Sequence, residues 1–257
     1  MTETGPPARR PSLGLALRSL LRADFAVMTK NRRAVILSLL LPVILLVSTN
    51  RSQTTGHLGG SLVVIGLSIS YGLAATGILG YGLTVARDRD QGVFQRLRVT
   101  PTPTWAIMSS RLMVQAVANL VIAVVVVALG SSLHHVTFSA GQYALVLLIS
   151  ILGGGVFLAI GQALVGLTRS ADTVNAGGRI LFGALVFLGL FGSSGTLGGV
   201  WESISRWSPV GDVMRLFVAV VHPSLWNQND TLTVLACLGY IAVCSVAGIR
   251  WFHWEAR

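Results

Sequence analysis

The sequence has little charge, and lysine and acidic residues are especially scarce. Of its 257 residues, 53% are hydrophobic and only 11% are charged, whereas a soluble domain of ordinary composition carries about 25% charged residues. Lys30 is the only lysine, and nine residues are acidic. This composition argues against a soluble domain and predicts a chain that lies largely in lipid.

Catalytic motifs are missing as well. The five histidines are scattered without HExxH spacing, and no serine lies in a GxSxG motif. A Walker A loop needs a lysine that reaches the nucleotide phosphates, and no glycine-rich loop precedes Lys30. We therefore expect no catalytic site, no metal site and no cofactor bound by this chain, which cannot by itself be an ATPase of that kind.

Long apolar runs dominate what is present. A helix of about 20 apolar residues crosses the hydrocarbon core, because in lipid every backbone polar group must be satisfied within its own segment. The sequence predicts an all-α integral membrane protein with six transmembrane helices, at 34–49, 58–86, 105–129, 141–167, 179–199 and 231–249. The second and fourth of these are rich in glycine, which we interpret as a packing device between helices.

Positive charge is distributed unevenly about these runs. Sixteen of the 19 lysines and arginines fall on one side of the membrane when the six predicted spans are threaded through it in turn. Because positively charged loops stay in the cytoplasm, both termini are predicted to be cytoplasmic. The net charge of +10 forms no separate soluble face, so we predict no nucleic-acid partner and an attraction to anionic membrane lipid.

Two segments outside the spans have patterns of their own. The tail, 1–33, contains leucines and other apolar residues at three- and four-residue steps over 12–30, which predicts an amphipathic helix on the inner membrane surface or docked on a partner protein. The outer segment, 200–230, holds an apolar stretch too short to cross, which predicts a short re-entrant or interfacial element before the last span. Residues 250–257 form a second short tail.

The predicted spans contain no aspartate or glutamate, although ion-coupled carriers usually keep an ionisable residue in the membrane interior. Glu202 and Asp212 lie outside the predicted spans, but a re-entrant element would bring them into the membrane interior. The uncharged polar residues Gln115, Asn119 and Gln162 lie within spans. They either line a substrate path or form hydrogen bonds between helices.

One loop, after the second span, carries a motif. It reads Arg-Asp-Arg-Asp-Gln-Gly-Val-Phe-Gln-Arg-Leu-Arg-Val-Thr-Pro over 87–101. Residues 91–99 either form a short helix along the inner membrane face or belong to a solvated basic loop. This loop resembles the cytoplasmic loop of type 2 ATP-binding-cassette permeases, in which an acidic-Arg-acidic triplet, a glycine, an acidic-Arg-Leu step and a Thr-Pro follow one another.

The match to that family is close but incomplete. Asp88, Arg89 and Asp90 match the triplet conservatively, whereas Val93 replaces the usual threonine and Gln95 the usual glutamate. The direct matches are Gly92, Arg96, Leu97, Thr100 and Pro101. The chain length, the six spans, the N-terminal helix and the element before the last span are also similar to this family, so the resemblance covers nearly the whole chain.

The resemblance implies a half-transporter in the plasma membrane. A second permease copy, identical or paralogous, and a separate subunit that binds ATP and Mg would complete an exporter of a drug, antibiotic or lipid. Contact with that ATPase is expected at Arg87, Asp88, Arg89, Asp90, Gly92, Gln95, Arg96, Leu97, Thr100 and Pro101 of the loop 87–104, and at Arg18 and Arg22 of the first helix. The alternatives are a membrane scaffold or sensor, which leaves the loop motif unexplained, and an intramembrane enzyme, which lacks catalytic residues.

Overall fold

The computed structural model describes residues 13–30, 32–50, 59–93, 104–193 and 198–251, which form nine helices of eight or more residues and one 3-10 turn at Pro223–Leu225, with no strand among them. We number the helices along the chain: α1 Leu13–Lys30, α2 Arg32–Thr49, α3 Ser61–Asp90, α4 Thr104–Leu133, α5 Ala140–Leu167, α6 Ala171–Ser193, α7 Gly199–Arg206, α8 Pro209–Val221 and α9 Gln228–Arg250. The all-helical prediction is confirmed for these residues.

Five of the helices are long and apolar enough to cross a membrane: α3, α4, α5, α6 and α9. The first predicted span corresponds to α2, whose 18 residues reach about 27 Å at 1.5 Å per residue. Its apolar part among the described residues is the shorter stretch Ser38–Thr49. The six-span count therefore stays a prediction, with α2 as its sixth member.

Helix α3 lies at the centre of the bundle. Every residue from Val64 to Ile78 is buried, and α2, α4, α5, α6 and α8 all pack against it. Its middle, Ala75–Gly82, is a π-helix, in which the backbone is wider than in an α-helix. A fully buried helix has no polar face, which is why this run is apolar on all sides.

Glycines set the closest helix contacts, as the sequence predicted. A Cβ atom on Gly77 would lie 2.6 Å from the carbonyl carbon of Phe157 in α5. Farther along, a Cβ on Gly166 would lie 2.7 Å from the carbonyl oxygen of Gly248 in α9. Small residues let backbones approach this closely in lipid, where van der Waals packing holds helices together.

The segment before the last span folds as two helices, α7 and α8, joined by a turn at Trp207 and Ser208. Ser208 caps α8 by accepting a hydrogen bond from the backbone N–H of Gly211 (3.1 Å). With 13 residues, α8 is too short to cross a bilayer. It packs against α3, α5, α6 and α9 through a buried face that includes Val213 and Phe217.

The basic connections share one end of the bundle. The end of α3, the start of α4 and the turn between α5 and α6 lie there, joined by contacts described below. The end of α9 joins them through the contact of Gly166 with Gly248, and α1 packs on α4 at the same end. We call it the basic end. The opposite end holds α7, α8 and the ion pairs Arg206–Glu202 (3.2 Å) and Arg215–Asp230 (3.1 Å).

Cysteine labelling tests which end faces the cytoplasm. Gln91 at the basic end and Ser224 at the opposite end are both exposed, and Cys237 and Cys244 are the two native thiols. With both native cysteines replaced by alanine, a membrane-impermeant maleimide is expected to label Ser224→Cys in intact cells. It is expected to label Gln91→Cys only after lysis, because positive loops stay inside. The reverse pattern would invert the predicted orientation.

Candidate functional site

The candidate site is the basic end of α3 together with the helices that it touches. Helix α3 continues past its apolar run into the sequence Arg-Asp-Arg-Asp and ends at Asp90. The end of α3 meets the turn from α5 to α6 and the start of α4, and α1 packs on α4. The charged residues of the α3 end therefore have several helix termini within reach.

Asp88 joins α3 to α4. Its carboxylate forms an ion pair and a hydrogen bond with Arg111, and both side chains are partly buried. One residue earlier in α4, the hydroxyl of Ser110 donates to the carboxylate of Asp24 in α1 (2.6 Å). The first two turns of α4 thus hold both the end of α3 and the amphipathic helix.

Arg89 turns the other way, into the protein. It is only 2% exposed, and its Nη1 donates to the carbonyl oxygens of Val165 (3.0 Å) and Thr168 (2.8 Å) at the end of α5. Asp90 accepts a hydrogen bond from the backbone N–H of Ala171 (2.7 Å), the first residue of α6. Consecutive residues of α3 therefore bind the two sides of the α5–α6 turn.

The chain turns sharply after Asp90. The backbone N–H of Gly92 donates to the carbonyl of Arg89 (3.0 Å), and that of Gln91 donates to the carbonyl of Arg87 (2.9 Å). Gly92 has a φ of +69°, a left-handed conformation that glycine adopts without the steric cost of a Cβ. The glycine of the motif thus ends the helix and redirects the chain.

The remaining predicted contact residues fall into two groups. Arg87, Arg18 and Arg22 are exposed on the surface of the basic end. Gln95, Arg96, Leu97, Thr100 and Pro101 lie outside the described residues, as does the predicted helix over 91–99 beyond Val93. The assignment of all of them to a partner surface stays a prediction.

The polar residues inside the spans bond to other helices. Thr76 of the π-helix donates its hydroxyl to the side-chain oxygen of Asn119, and Gln115 donates to the carbonyl oxygen of Thr76 (3.3 Å). Tyr81 donates to the side chain of Gln162 (2.8 Å). These bonds match the interhelical alternative of the sequence analysis, and a role of the three amides in a substrate path stays a prediction.

Two features of the site went unrecognised in the sequence. Arg111 falls inside the predicted span 105–129, and a charge within a span usually has a partner, which was the available signal for its pairing with Asp88. The inward orientation of Arg89 had no comparable signal, because Arg87 and Arg89 have the same side chain in one charged run. Only the position of the α5–α6 turn distinguishes them.

Two comparisons with known proteins find matches over more than half of the chain. The family model described as "ABC-2 type transporter" matches residues 16–221, from within α1 to the end of α8. A Bacillus subtilis (strain 168) protein described as "Putative transport permease YvfS" is 25% identical over 149 residues, which cover 54% of this chain. The match spans 57% of that relative's length, so little more than half of each protein is compared.

Proposed function

The chain belongs to the ABC-2 type transporter family, and we propose that it is the membrane-spanning subunit of an exporter driven by ATP that a separate subunit hydrolyses. The observation that carries this proposal is the extent of the family match, which runs from within α1 through the charged end of α3 to the end of α8. A protein with these parts is a multi-pass membrane protein of a transport family, and its own sequence offers no lysine in a nucleotide-binding loop.

The basic end supports the proposed ATPase partner. Arg87, Arg18 and Arg22 are exposed there, and the guanidinium group binds carboxylates through a planar pair of hydrogen bonds. Exposed arginines that a membrane protein keeps at one end favour a partner with an acidic surface. The loop 87–104 begins at the same place, so it would extend this surface.

The cargo that we propose is a lipophilic or amphipathic molecule such as a drug, an antibiotic or a lipid. The buried residues of the predicted spans are mostly apolar, and their polar groups are uncharged amides and hydroxyls, whereas the buried ionisable residues Arg89, Asp212 and Asp230 lie outside those spans. A charged cargo would meet no buried, unpaired charge within the spans to compensate its own, and an uncompensated charge there costs several kcal/mol. We further propose that two copies of the permease form the path between them, in the plasma membrane.

Affinity purification tests the proposed subunit role. The tagged chain, extracted in mild detergent, is expected to recover a stoichiometric soluble protein that carries a Walker A motif. The recovered complex is expected to hydrolyse ATP in a vanadate-sensitive manner. An unrelated membrane protein of similar size with the same tag serves as the control and should recover no such protein.

The same experiment can reject the proposal. Repeated recovery of the chain without any ATPase, under conditions in which known transporter complexes stay intact, would favour a membrane scaffold or sensor. Recovery of an ATPase whose hydrolysis is unaffected by the presence of this chain would also count against an energised transport subunit. Either result leaves the family membership untouched and changes the function.

A further inference from the structure

The four charged residues that end α3 face different directions. Successive residues of an α-helix are rotated by about 100°, so Arg87 and Arg89 lie on nearly opposite faces. Arg87 is exposed, whereas Arg89 is 2% exposed and surrounded by protein. A buried side chain cannot contact a soluble partner, so the sequence motif must contain two surfaces with different roles.

Arg89 occupies the end of α5. The last four carbonyl groups of a helix have no donor from within that helix, and the partial negative charge of the helix dipole attracts a cation there. Its Nη1 donates to two carbonyls at this terminus, those of Val165 and Thr168. The hydroxyl of Thr168 donates to the carbonyl of Leu164 (2.7 Å), so a third carbonyl at this terminus has a hydrogen-bond donor.

Asp90 occupies the start of α6 in the complementary way. The first backbone N–H groups of a helix lack partners, and a carboxylate that accepts from one of them also meets the positive end of the helix dipole. Asp90 accepts from Ala171 at 2.7 Å. Its other oxygen lies 3.6 Å from Nε of Arg89, so the two side chains support each other across the α5–α6 turn.

We propose that Arg89 and Asp90 form an internal clamp that makes the end of α3 and the α5–α6 turn move as one unit. In this arrangement a partner subunit that pushes on the exposed side of α3, at Arg87, also shifts the start of α6 and the end of α5. Arg89 is thus a positioning residue for the transmission of force, and Arg87 belongs to the contact surface. The clamp rests on the proposed function for its purpose, but its existence can be tested without a partner.

Hydrogen exchange on the purified chain tests the clamp itself. Arg89→Gln removes the charged donor, and we expect amide exchange in residues 168–174 to rise at least about tenfold, because hydrogen bonds to charged groups are among the strongest in proteins. Arg87→Gln, the same change two residues earlier on the exposed side, should leave exchange there within about twofold, since it removes no buried bond. Where Arg89→Gln does not fold, Asp90→Asn provides the same test at a more exposed side chain.

Exchange in residues 168–174 that is equal in wild-type protein and in both the Arg89 and Asp90 variants would overturn the clamp. This result does not depend on any ATPase. A failure of the proposed function therefore leaves the measurement valid, and a failure of the clamp leaves the proposed function standing.

The complex with the co-purified ATPase then tests transmission. Arg87→Glu is expected to weaken partner binding at least about tenfold by placing like charges together, whereas Arg89→Gln should bind within about twofold of wild type. Spin labels can be attached at Gln91→Cys and Asp172→Cys, which are both exposed positions. With Arg89 present, we expect the distance between the two labels to be the same in the nucleotide-free and the vanadate-trapped complex. In the Arg89→Gln background that separation should change on trapping.

Arg89→Lys provides the conservative comparison in the complex. It keeps the charge but presents one compact ammonium instead of a planar fork, so we expect it to restore part of the constant separation. Loss of partner binding in Arg89→Gln to the same degree as in Arg87→Glu would place Arg89 on the contact surface and overturn the division of roles. A distance between the labels that stays constant on trapping in the Arg89→Gln complex would overturn the role of Arg89 in transmitting force.

Discussion

Replacement of Gly77 by alanine is expected to destabilise the protein by about 3 kcal/mol, at the upper end of the usual cost of overpacking. The added Cβ would lie 2.6 Å from the carbonyl carbon of Phe157 and 2.8 Å from its carbonyl oxygen. Both atoms belong to the backbone of α5, which cannot move aside by changing a rotamer. The helices α3 and α5 would have to separate, and α3 is the helix that most others pack against.

The reciprocal position gives an independent version of this test. A Cβ on Gly161 of α5 would overlap the carbonyl oxygen of Gly77, so Gly161→Ala should cost a similar amount. The two substitutions act at one contact, so the double variant should lose less than the sum of the single losses. The measurement is thermal or denaturant unfolding of the purified protein in one detergent.

Glycines that have open space provide the control. Nothing lies within 4 Å of a Cβ built on Gly183 of α6 or on Gly239 of α9. Alanine at either position should leave stability unchanged or raise it by up to about 1 kcal/mol, because alanine is the better helix former. Equal effects at Gly77 and Gly183 would show that helix propensity, and not the α3–α5 contact, governs these positions.

The second large effect is expected at Asp212, and it depends on pH. Asp212 is completely buried in α8, and neither carboxylate oxygen has a hydrogen-bond partner among the described residues. Burial raises the pKa of Asp212 to about 7, and the nearby Arg215 opposes this shift. Arg215 is itself paired with Asp230 of α9, and Cys237 and Tyr240 of α9 are the other titratable groups near the carboxyl.

The sign of the pH dependence follows from this raised pKa. Between the ordinary aspartate pKa of 3.8 and about 7, the folded protein binds more protons than the unfolded chain, so stability falls as pH rises through this range. Between pH 5 and pH 8 the loss due to this group is on the order of 2 kcal/mol. Asp212→Asn cannot ionise, and we expect it to lack this loss and to be more stable than wild type at pH 8.

Unfolding measured at pH 5 and pH 8 for both proteins checks this prediction. Asp172→Asn serves as the control for the substitution itself, because Asp172 is exposed in the first turn of α6. An Asp212→Asn protein that loses as much stability as wild type between the two pH values would assign the pH dependence to other groups. A wild-type protein of constant stability would mean that the buried carboxyl finds a compensating partner in solution.

Much of the helix inventory was predictable from hydropathy and period alone. The predicted spans 141–167 and 231–249 agree closely with α5, Ala140–Leu167, and α9, Gln228–Arg250. The fifth span was predicted from 179, but α6 begins at Ala171. Its first two turns contain Asp172 and Asn175 and read as a loop by hydropathy. The helix nevertheless begins at Ala171, where the hydroxyl of Ser170 accepts a hydrogen bond from the backbone N–H of Thr173 (3.2 Å) and Asp90 accepts one from that of Ala171 (2.7 Å).

The candidate site was less predictable, because its residues act through distant partners. The sequence assigned residues 87–90 to one contact surface as a group. In the structure Asp88 pairs with Arg111, Arg89 binds the end of α5 and Asp90 binds the start of α6. Each partner is more than 20 positions away in the chain, and no local pattern records which helix terminus will lie beside which charge.

The sequence by itself determined the class of the protein and the end of the bundle at which its charges collect. The hydropathy of a segment determines whether that segment enters the bilayer, and the positive charge of its flanking loops determines its orientation, and both are properties of neighbouring residues. Only the tertiary structure decided that Arg87 faces outward and Arg89 inward, and that Asp212 is buried. Those outcomes depend on which helices pack together, and no single segment of the sequence contains that information.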